Sequence, residues 1–260
     1  MENKNLYVIS FSPTGTTRKV LKAIADGMNF QQTKQIDLIK KNNIKKQNFT
    51  DKDWVMIGVP VYSSRIPETV ISRLQNFKAN KTNAVVVVVY GNRQFGDALL
   101  ELKNLVVELG FFPRAAAAFI GLHSFSSNNY PIAVGRPDSE DLQIAYNFGK
   151  QVISKQGKHK KIKVPGNFPY KERSKKLIVK PVTDLTLCNQ CGLCQEVCPV
   201  DAISIYNNRI ETNEQLCIYC NACVRVCPQK ARIIDDERII GFAKNLHEKC
   251  KQAKSPEIFL

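Results

Sequence analysis

Residues 84–90 read Ala84-Val-Val-Val-Val-Val-Tyr90. Side chains alternate between the two faces of a strand, so an unbroken run of β-branched residues is apolar on both sides. Strands of that kind belong to parallel sheets covered by helices on both faces. The sequence on either side repeats the same rhythm. Upstream, Leu6–Phe11 and Trp54–Val61 read as strands, with a weaker one at Ile36–Ile39 whose charged surroundings put it at an edge. Downstream, Ala115–Leu122 reads as a fifth. Between them, Val20, Leu21, Ile24 and Met28 recur at helical spacing, as do Val70, Ile71, Leu74 and Phe77 after Pro67. A further helix runs from Gly96 to Leu109, and another starts near Asp138 and turns Leu142, Ala145, Phe148 and Val152 inward. Five strands alternating with helices predict an α/β fold, a five-stranded doubly wound parallel sheet spanning residues 1–154.

In such sheets ligands bind beyond the carboxyl ends of the strands, where strand order reverses. That rule selects the loops 12–17, 60–65 and 91–97. The first, Ser12-Pro-Thr14-Gly15-Thr16-Thr17, offers hydroxyls and backbone N–H groups at the positive end of a helix. It suits a single phosphate, since the lysine of a triphosphate loop is absent. Taken alone, the same residues also suit a plain helix cap.

Beyond residue 154 the rhythm stops. Residues 155–180 hold ten basic side chains and one acidic, a large share of the formal charge of +15. With Gly157, Pro165, Gly166 and Pro169 they read as a linker or surface strap. Residues 181–236 hold four basic and seven acidic side chains and an internal repeat. Cys188, Cys191, Cys194 and Cys198 recur, offset by 29 residues, as Cys217, Cys220, Cys223 and Cys227, each set closed by a proline. This C-x₂-C-x₂-C-x₃-C-P spacing presents three thiolates to one [4Fe–4S] cubane, while the fourth completes the neighbouring one. The sets are therefore crossed. One cluster takes Cys188, Cys191, Cys194 and Cys227; the other takes Cys217, Cys220, Cys223 and Cys198. A zinc site would use paired knuckles rather than triplets. Residues 237–260 read as a polar tail, with Cys250 as a spare surface thiol.

The repeat resembles bacterial two-cluster ferredoxins, a small α+β fold, departing from them at Arg232, which stands where the first unit has Ile203. Phe-Ser-Pro-Thr-Gly-Thr-Thr after the first strand resembles the phosphate loop of flavodoxins. That resemblance implies FMN, with its phosphate on Ser12, Thr14, Gly15, Thr16 and Thr17. It implies ring contacts from Pro60, Val61, Tyr62 and Ser63, and from Gly91, Asn92, Phe95 and Asp97. Tyr62 and Phe95 would flank the ring, and Gly91 and Asn92 would offer backbone groups. Asp97 also suits a helix cap. Up to about residue 236 the chain resembles flavodoxin–ferredoxin fusions common in anaerobic bacteria. Gly91-Asn92-Arg93, His123-Ser124-Phe125 and Tyr130-Pro131-Ile132 look like that family. The long loop 122–137 reads as functional, with His123 bordering the flavin or holding the loop.

The resemblance implies an electron-transfer protein coupling one-electron carriers to two-electron chemistry through two [4Fe–4S] clusters and FMN, with a redox protein as partner. An FMN-dependent reductase of a quinone or similar small acceptor is a second reading. Nucleic-acid binding through the strap is a weak third, because base-stacking aromatics are lacking beyond Phe168 and Tyr170. The strap's lysines would instead dock the acidic cysteine region or an acidic redox partner. No apolar run is long enough to span a bilayer, and the cysteine use fits a reducing compartment. A cytoplasmic protein, able to form homo-oligomers, is expected.

Overall fold

A computed structural model describes residues 5–155, 161–175, 177–207 and 209–260. The elements in chain order are β1 (Asn5–Ser10), α1 (Thr16–Met28), β2 (Gln32–Asp37), β3 (Gln47–Phe49), β4 (Trp54–Pro60), α2 (Glu68–Leu74), β5 (Phe77–Ala79) and β6 (Thr82–Tyr90). There follow α3 (Ala98–Glu108), β7 (Phe111–Ile120), α4 (Ser139–Ser154), β8 (Val182–Thr183), α5 (Leu193–Glu196), β9 (Ile203–Tyr206) and β10 (Arg209–Thr212). The last are α6 (Ala222–Val226), β11 (Arg232–Ile233), α7 (Glu237–Lys249) and β12 (Glu257–Phe259).

The valine run sits as its composition demands. Val85, Val87 and Val89 face one core with α1 and α4, and Val86 and Val88 face the other with α2 and α3. Five strands are parallel in the order β7-β6-β4-β1-β2, with β2 at the edge. Strand order reverses between β1 and β4, so the loops leaving them diverge and open a crevice. The start of α4 is fixed by a capping box between Asp138 and Asp141.

The opposite edge of the sheet departs from expectation. The segment read as a polar tail forms α7 and then β12, which pairs antiparallel with β7, Ala116–Ala118 against Glu257–Phe259. The sheet therefore has six strands. A bare β7 edge would present unpaired N–H and C=O groups, and the chain's own end covers them. Cys250 is accordingly buried beside Ile132 and Leu246, not a surface thiol.

The cysteine repeat forms two short antiparallel pairs, β9–β10 and β8–β11, with α5 and α6 at equivalent places in the two halves. Among the described residues no helix is long and apolar enough to cross a membrane.

Candidate cofactor sites

The loop after β1 is shaped by Gly15, whose φ of +80° puts it in the left-handed region just before α1. Its N–H donates to the Ser12 carbonyl at 3.1 Å. Ser12 itself is turned inward, its hydroxyl accepting from the Arg18 N–H at 3.0 Å. Ser12 thus fastens the loop, while Thr14, Thr16 and Thr17 line a cavity of about 60 Å³. The Thr14 and Thr16 hydroxyls stand 3.3 Å apart. Pro60, Val61, Tyr62 and Gly91 complete its wall, together with Tyr90 and Gly121. Hydroxyls grouped at a helix N-terminus form a donor set suited to a phosphate.

A second cavity of about 230 Å³ adjoins the first and shares Val61, Tyr62, Tyr90, Gly91, His123 and Ser124 with it. Ser63 lines it as well. His123 lies against Gly91, where a Cβ would come within 2.2 Å of the imidazole Cδ2. Only glycine admits the ring there. The Phe125 N–H donates to His123 Nδ1 at 3.1 Å, so the imidazole both borders the cavities and holds its own loop. Burial, with the Arg93 and Arg225 guanidinium groups nearby, pulls its pKa down to about 4. At neutral pH it is uncharged. Burial, and then the Cys220 and Cys217 thiols, raise the Tyr62 phenol well above its usual range, so it too stays protonated.

Of the expected ring residues, Phe95 and Asp97 are engaged elsewhere, as is the side chain of Asn92, whose expected contribution is its backbone. Phe95 is buried in the core, edge-on to Tyr90 with ring centroids 5.5 Å apart, and does not flank the crevice. Asp97 is buried and accepts from the N–H groups of Asn167 at 2.8 Å and Lys171 at 2.7 Å. Burial alone would raise its pKa, but these donors hold it below the usual carboxylate range. The Asn92 side chain, only 3% exposed, is taken by the chain's end: Nδ2 donates to the Cys250 and Gln252 carbonyls, each at 2.9 Å. Asn92 and Asp97 share a reason: segments distant in sequence need polar anchors at this end of the sheet, and the loop after β6 supplies them.

Most of the strap's described polar contacts fall on α3 and the residue before it, through Asp97, through Asn104 donating to the Tyr170 hydroxyl at 2.8 Å, and through Arg173 on Glu101 at 3.0 Å. At the strap's end Lys180 pairs with Glu214 of the cysteine region at 3.8 Å. Glu101, nearly buried, also pairs with Arg65 at 2.6 Å. Lys158 and Lys160 lie outside the described residues. Sequence reasoning missed several cavity residues. Tyr90, Gly121 and Leu122 were within reach of the same strand-end rule, whereas Lys171, Tyr219, Phe242 and Leu246 carried no local signal.

Four thiols, those of Cys198, Cys217, Cys220 and Cys223, line one cavity whose remaining wall is largely apolar, with Val200, Ala202, Ile203 and Ile218. These are the four residues that the crossed reading assigns together. The Ala202 N–H donates to Cys198 Sγ at 3.2 Å. Soft thiols in an apolar shell with a backbone donor to sulfur fit an all-cysteine iron–sulfur cluster. Of the other set, Cys194 is buried, Cys188 and Cys227 are half-buried and Cys191 is exposed, so that set lies toward solvent. Among the described residues, no group of three or more His, Cys, Asp or Glu side chains is drawn tightly enough to hold a single metal ion.

Cys220 belongs to the walls of both the thiol cavity and the smaller loop cavity. Both ends of its set are pinned to the α/β unit. Asn221 donates to the Ser124 carbonyl and Arg225 to that of His123, each at 2.8 Å. At the other end Lys40 donates to the Cys198 carbonyl at 2.8 Å and pairs with Asp201 at 2.6 Å. The buried Arg73 donates to the carbonyls of Ile39, at 2.9 Å, and of Pro199. Hydrogen bonds from charged donors contribute roughly 1.5–3 kcal/mol each.

Residues 7–106 match the family model described as a flavodoxin domain, and residues 180–228 match that described as a 4Fe-4S dicluster domain. Solved structures similar to the chain include a flavodoxin from the domain Archaea, 16% identical over 58% of this chain and 97% of that one, with a TM-score of 0.39. Oxidised flavodoxin 1 from Bacillus cereus is 14% identical over 58% and 98%, with a TM-score of 0.40. The flavodiiron core of Flv1 from Synechocystis sp. PCC6803 is 18% identical over 59% and 36%, with a TM-score of 0.41. No curated protein matches the chain.

Proposed function

From a chain that joins a flavodoxin domain to a 4Fe-4S dicluster domain, and is thus an electron-transfer iron–sulfur flavoprotein, we propose that single electrons pass between clusters and flavin within one molecule. The observation that carries this reading is the position of Cys220, one residue forming part of both cavity walls. When bound, FMN supplies one- or two-electron chemistry and each cluster one-electron chemistry, which together join single-electron carriers to two-electron reactions.

The chain's own residues have distinct tasks in this reading. Thr14, Thr16 and Thr17 would hold the FMN phosphate at the start of α1, and Tyr62, Tyr90, Gly91 and His123 would border the ring. Neutral His123 adds no charge to that site and retains an N–H for donation. Phe242 and Leu246 of α7 wall the larger cavity. Cys198, Cys217, Cys220 and Cys223 would hold the cluster on the flavin side. Cys188, Cys191, Cys194 and Cys227 would hold the outer one, facing a redox protein partner. Reduction of a small acceptor is a second reading, favoured by Arg93 and Lys171 in the wall of the larger cavity. Turnover of quinones by the purified protein tests it.

Anaerobically purified protein should carry about eight iron atoms and one FMN per chain. After flash photolysis delivers an electron to the clusters, the rate of flavin reduction should be independent of protein concentration. Cys198→Ala should remove one of two iron–sulfur centres and slow that rate. A rate proportional to concentration would move the transfer between molecules and overturn the proposal.

A further inference from the structure

The two halves of the cysteine repeat differ at one buried position. Ile203 opens β9, and its counterpart 29 residues on, opening β11, is Arg232. Both are buried, 4% and 3% exposed. A guanidinium stays charged at any pH a folded protein meets, and burying it is costly unless a negative charge faces it. The described partners of Arg232 are neutral side chains. It donates to the hydroxyls of Thr183 at 2.6 Å and Thr212 at 2.7 Å. Its Nε is buried without an acceptor, and among the described residues no carboxylate pairs with it. It also donates to a thiol, Cys223 Sγ, at 3.8 Å from a terminal nitrogen, whereas on Cys194 of the other set its charge acts only through space. The two threonines therefore aim a buried, unneutralised cation at one of the four thiols lining the inner cavity. Ile203, at the corresponding place in the first half, brings no charge.

We infer that Arg232 is the counter-charge of the cluster held by Cys198, Cys217, Cys220 and Cys223, and gives that cluster a higher affinity for an electron than the outer one has. The inference rests on the cluster assignment proposed above. A cluster that accepts one electron gains one negative charge, and a fixed cation at its sulfur stabilises that charge most where solvent is excluded. An electron entering from a donor protein at the exposed set, near Cys191, would then settle on the flavin side. The direction of flow inside the chain would be built into a single substitution between the repeats.

The test uses the full-length holoprotein with Arg232→Ile, which restores the symmetry of the repeat, and Arg232→Lys, which keeps the charge. Iron and acid-labile sulfide are measured first, and the two centres are then titrated anaerobically with dithionite under EPR observation. In Arg232→Ile one centre should bind its electron at least tenfold more weakly, a shift of 59 mV for one electron, and the other should move less. Arg232→Lys should keep both within about threefold. Equal movement of both centres, or of neither, would overturn the inference. If Arg232→Ile fails to assemble, Arg232→Gln gives the same comparison, and loss of one centre from every neutral variant while the lysine variant keeps both also shows the need for charge. Loss of a centre from the lysine variant as well would overturn it. Wild-type protein that lacks two centres would instead refute the cluster assignment itself.

Discussion

Replacing Asn92 by alanine should release the C-terminal segment from the sheet. Asn92 closes a ring of hydrogen bonds with that segment: Nδ2 donates to the carbonyls of Cys250 and Gln252 at 2.9 Å, and Oδ1 accepts from the Lys254 N–H at 3.0 Å. Each bond contributes about 1 kcal/mol net, so about 3 kcal/mol is lost. Asn92 also has a φ of +61°, a conformation asparagine tolerates and alanine resists by about 1 kcal/mol. Asn92→Ala should therefore cost about 4 kcal/mol and Asn92→Gly about 3 kcal/mol. The loss falls on a segment also held by three paired residues of β12, by Arg136 on the Lys254 carbonyl, by the Lys254 ammonium on the Arg93 carbonyl and by His247 on that of Pro131. Local opening should become roughly a hundredfold more frequent in the glycine variant, since about 1.4 kcal/mol is one factor of ten. Hydrogen exchange followed by mass spectrometry reads this directly in the peptide covering 250–260. Because α7 walls the larger cavity with Phe242 and Leu246, flavin should also dissociate faster. Exchange raised less than tenfold in that peptide, with α1 and β6 unchanged, would refute the reasoning, because the ring of bonds would then not be what holds the segment.

Two further outcomes follow from the same geometry. His123, pulled down to about 4 by burial and by Arg93 and Arg225, refuses a proton that the unfolded chain takes up near pH 6.5. Stability should be full above that pH and fall as pH drops from about 6.5 toward 4, by about 2–3 kcal/mol. His123→Asn should flatten that part of the urea-unfolding profile, and an identical slope in the variant would place the titration elsewhere. Thr14→Ala with Thr16→Ala removes two hydroxyls from the smaller cavity, and FMN affinity should fall at least tenfold, each bond to a charged phosphate contributing roughly 1.5–3 kcal/mol. Iron content should not change, and a double variant that retains tightly bound FMN would put the phosphate in another place.

The sheet and the gathering of one set of four thiols were legible in the sequence because both are encoded among near neighbours. A run of valines flanked by helical periodicities has one economical arrangement, since each strand must bury two faces and each helix one. Cysteines two and three residues apart can present only certain corners to a shared centre, and the thiols of Cys198, Cys217, Cys220 and Cys223 lie together as that spacing implies. The loop after β1 was legible for the same reason, because Gly15 and the threonines act through the helix they begin. The side-chain partners of Asn92, Phe95 and Asp97 were not. These side chains answer to Cys250, Tyr90 and Asn167, and two of those partners lie more than sixty residues away. The strand β12, the burial of Cys250 and the place of Tyr219 and Phe242 beside the strand ends were equally hidden. A polar residue in a loop carries no mark of which distant backbone will need it. That choice is made only when packing brings the unpaired N–H and C=O groups of remote segments to the same end of the sheet, where each must find a partner or be left unsatisfied away from water.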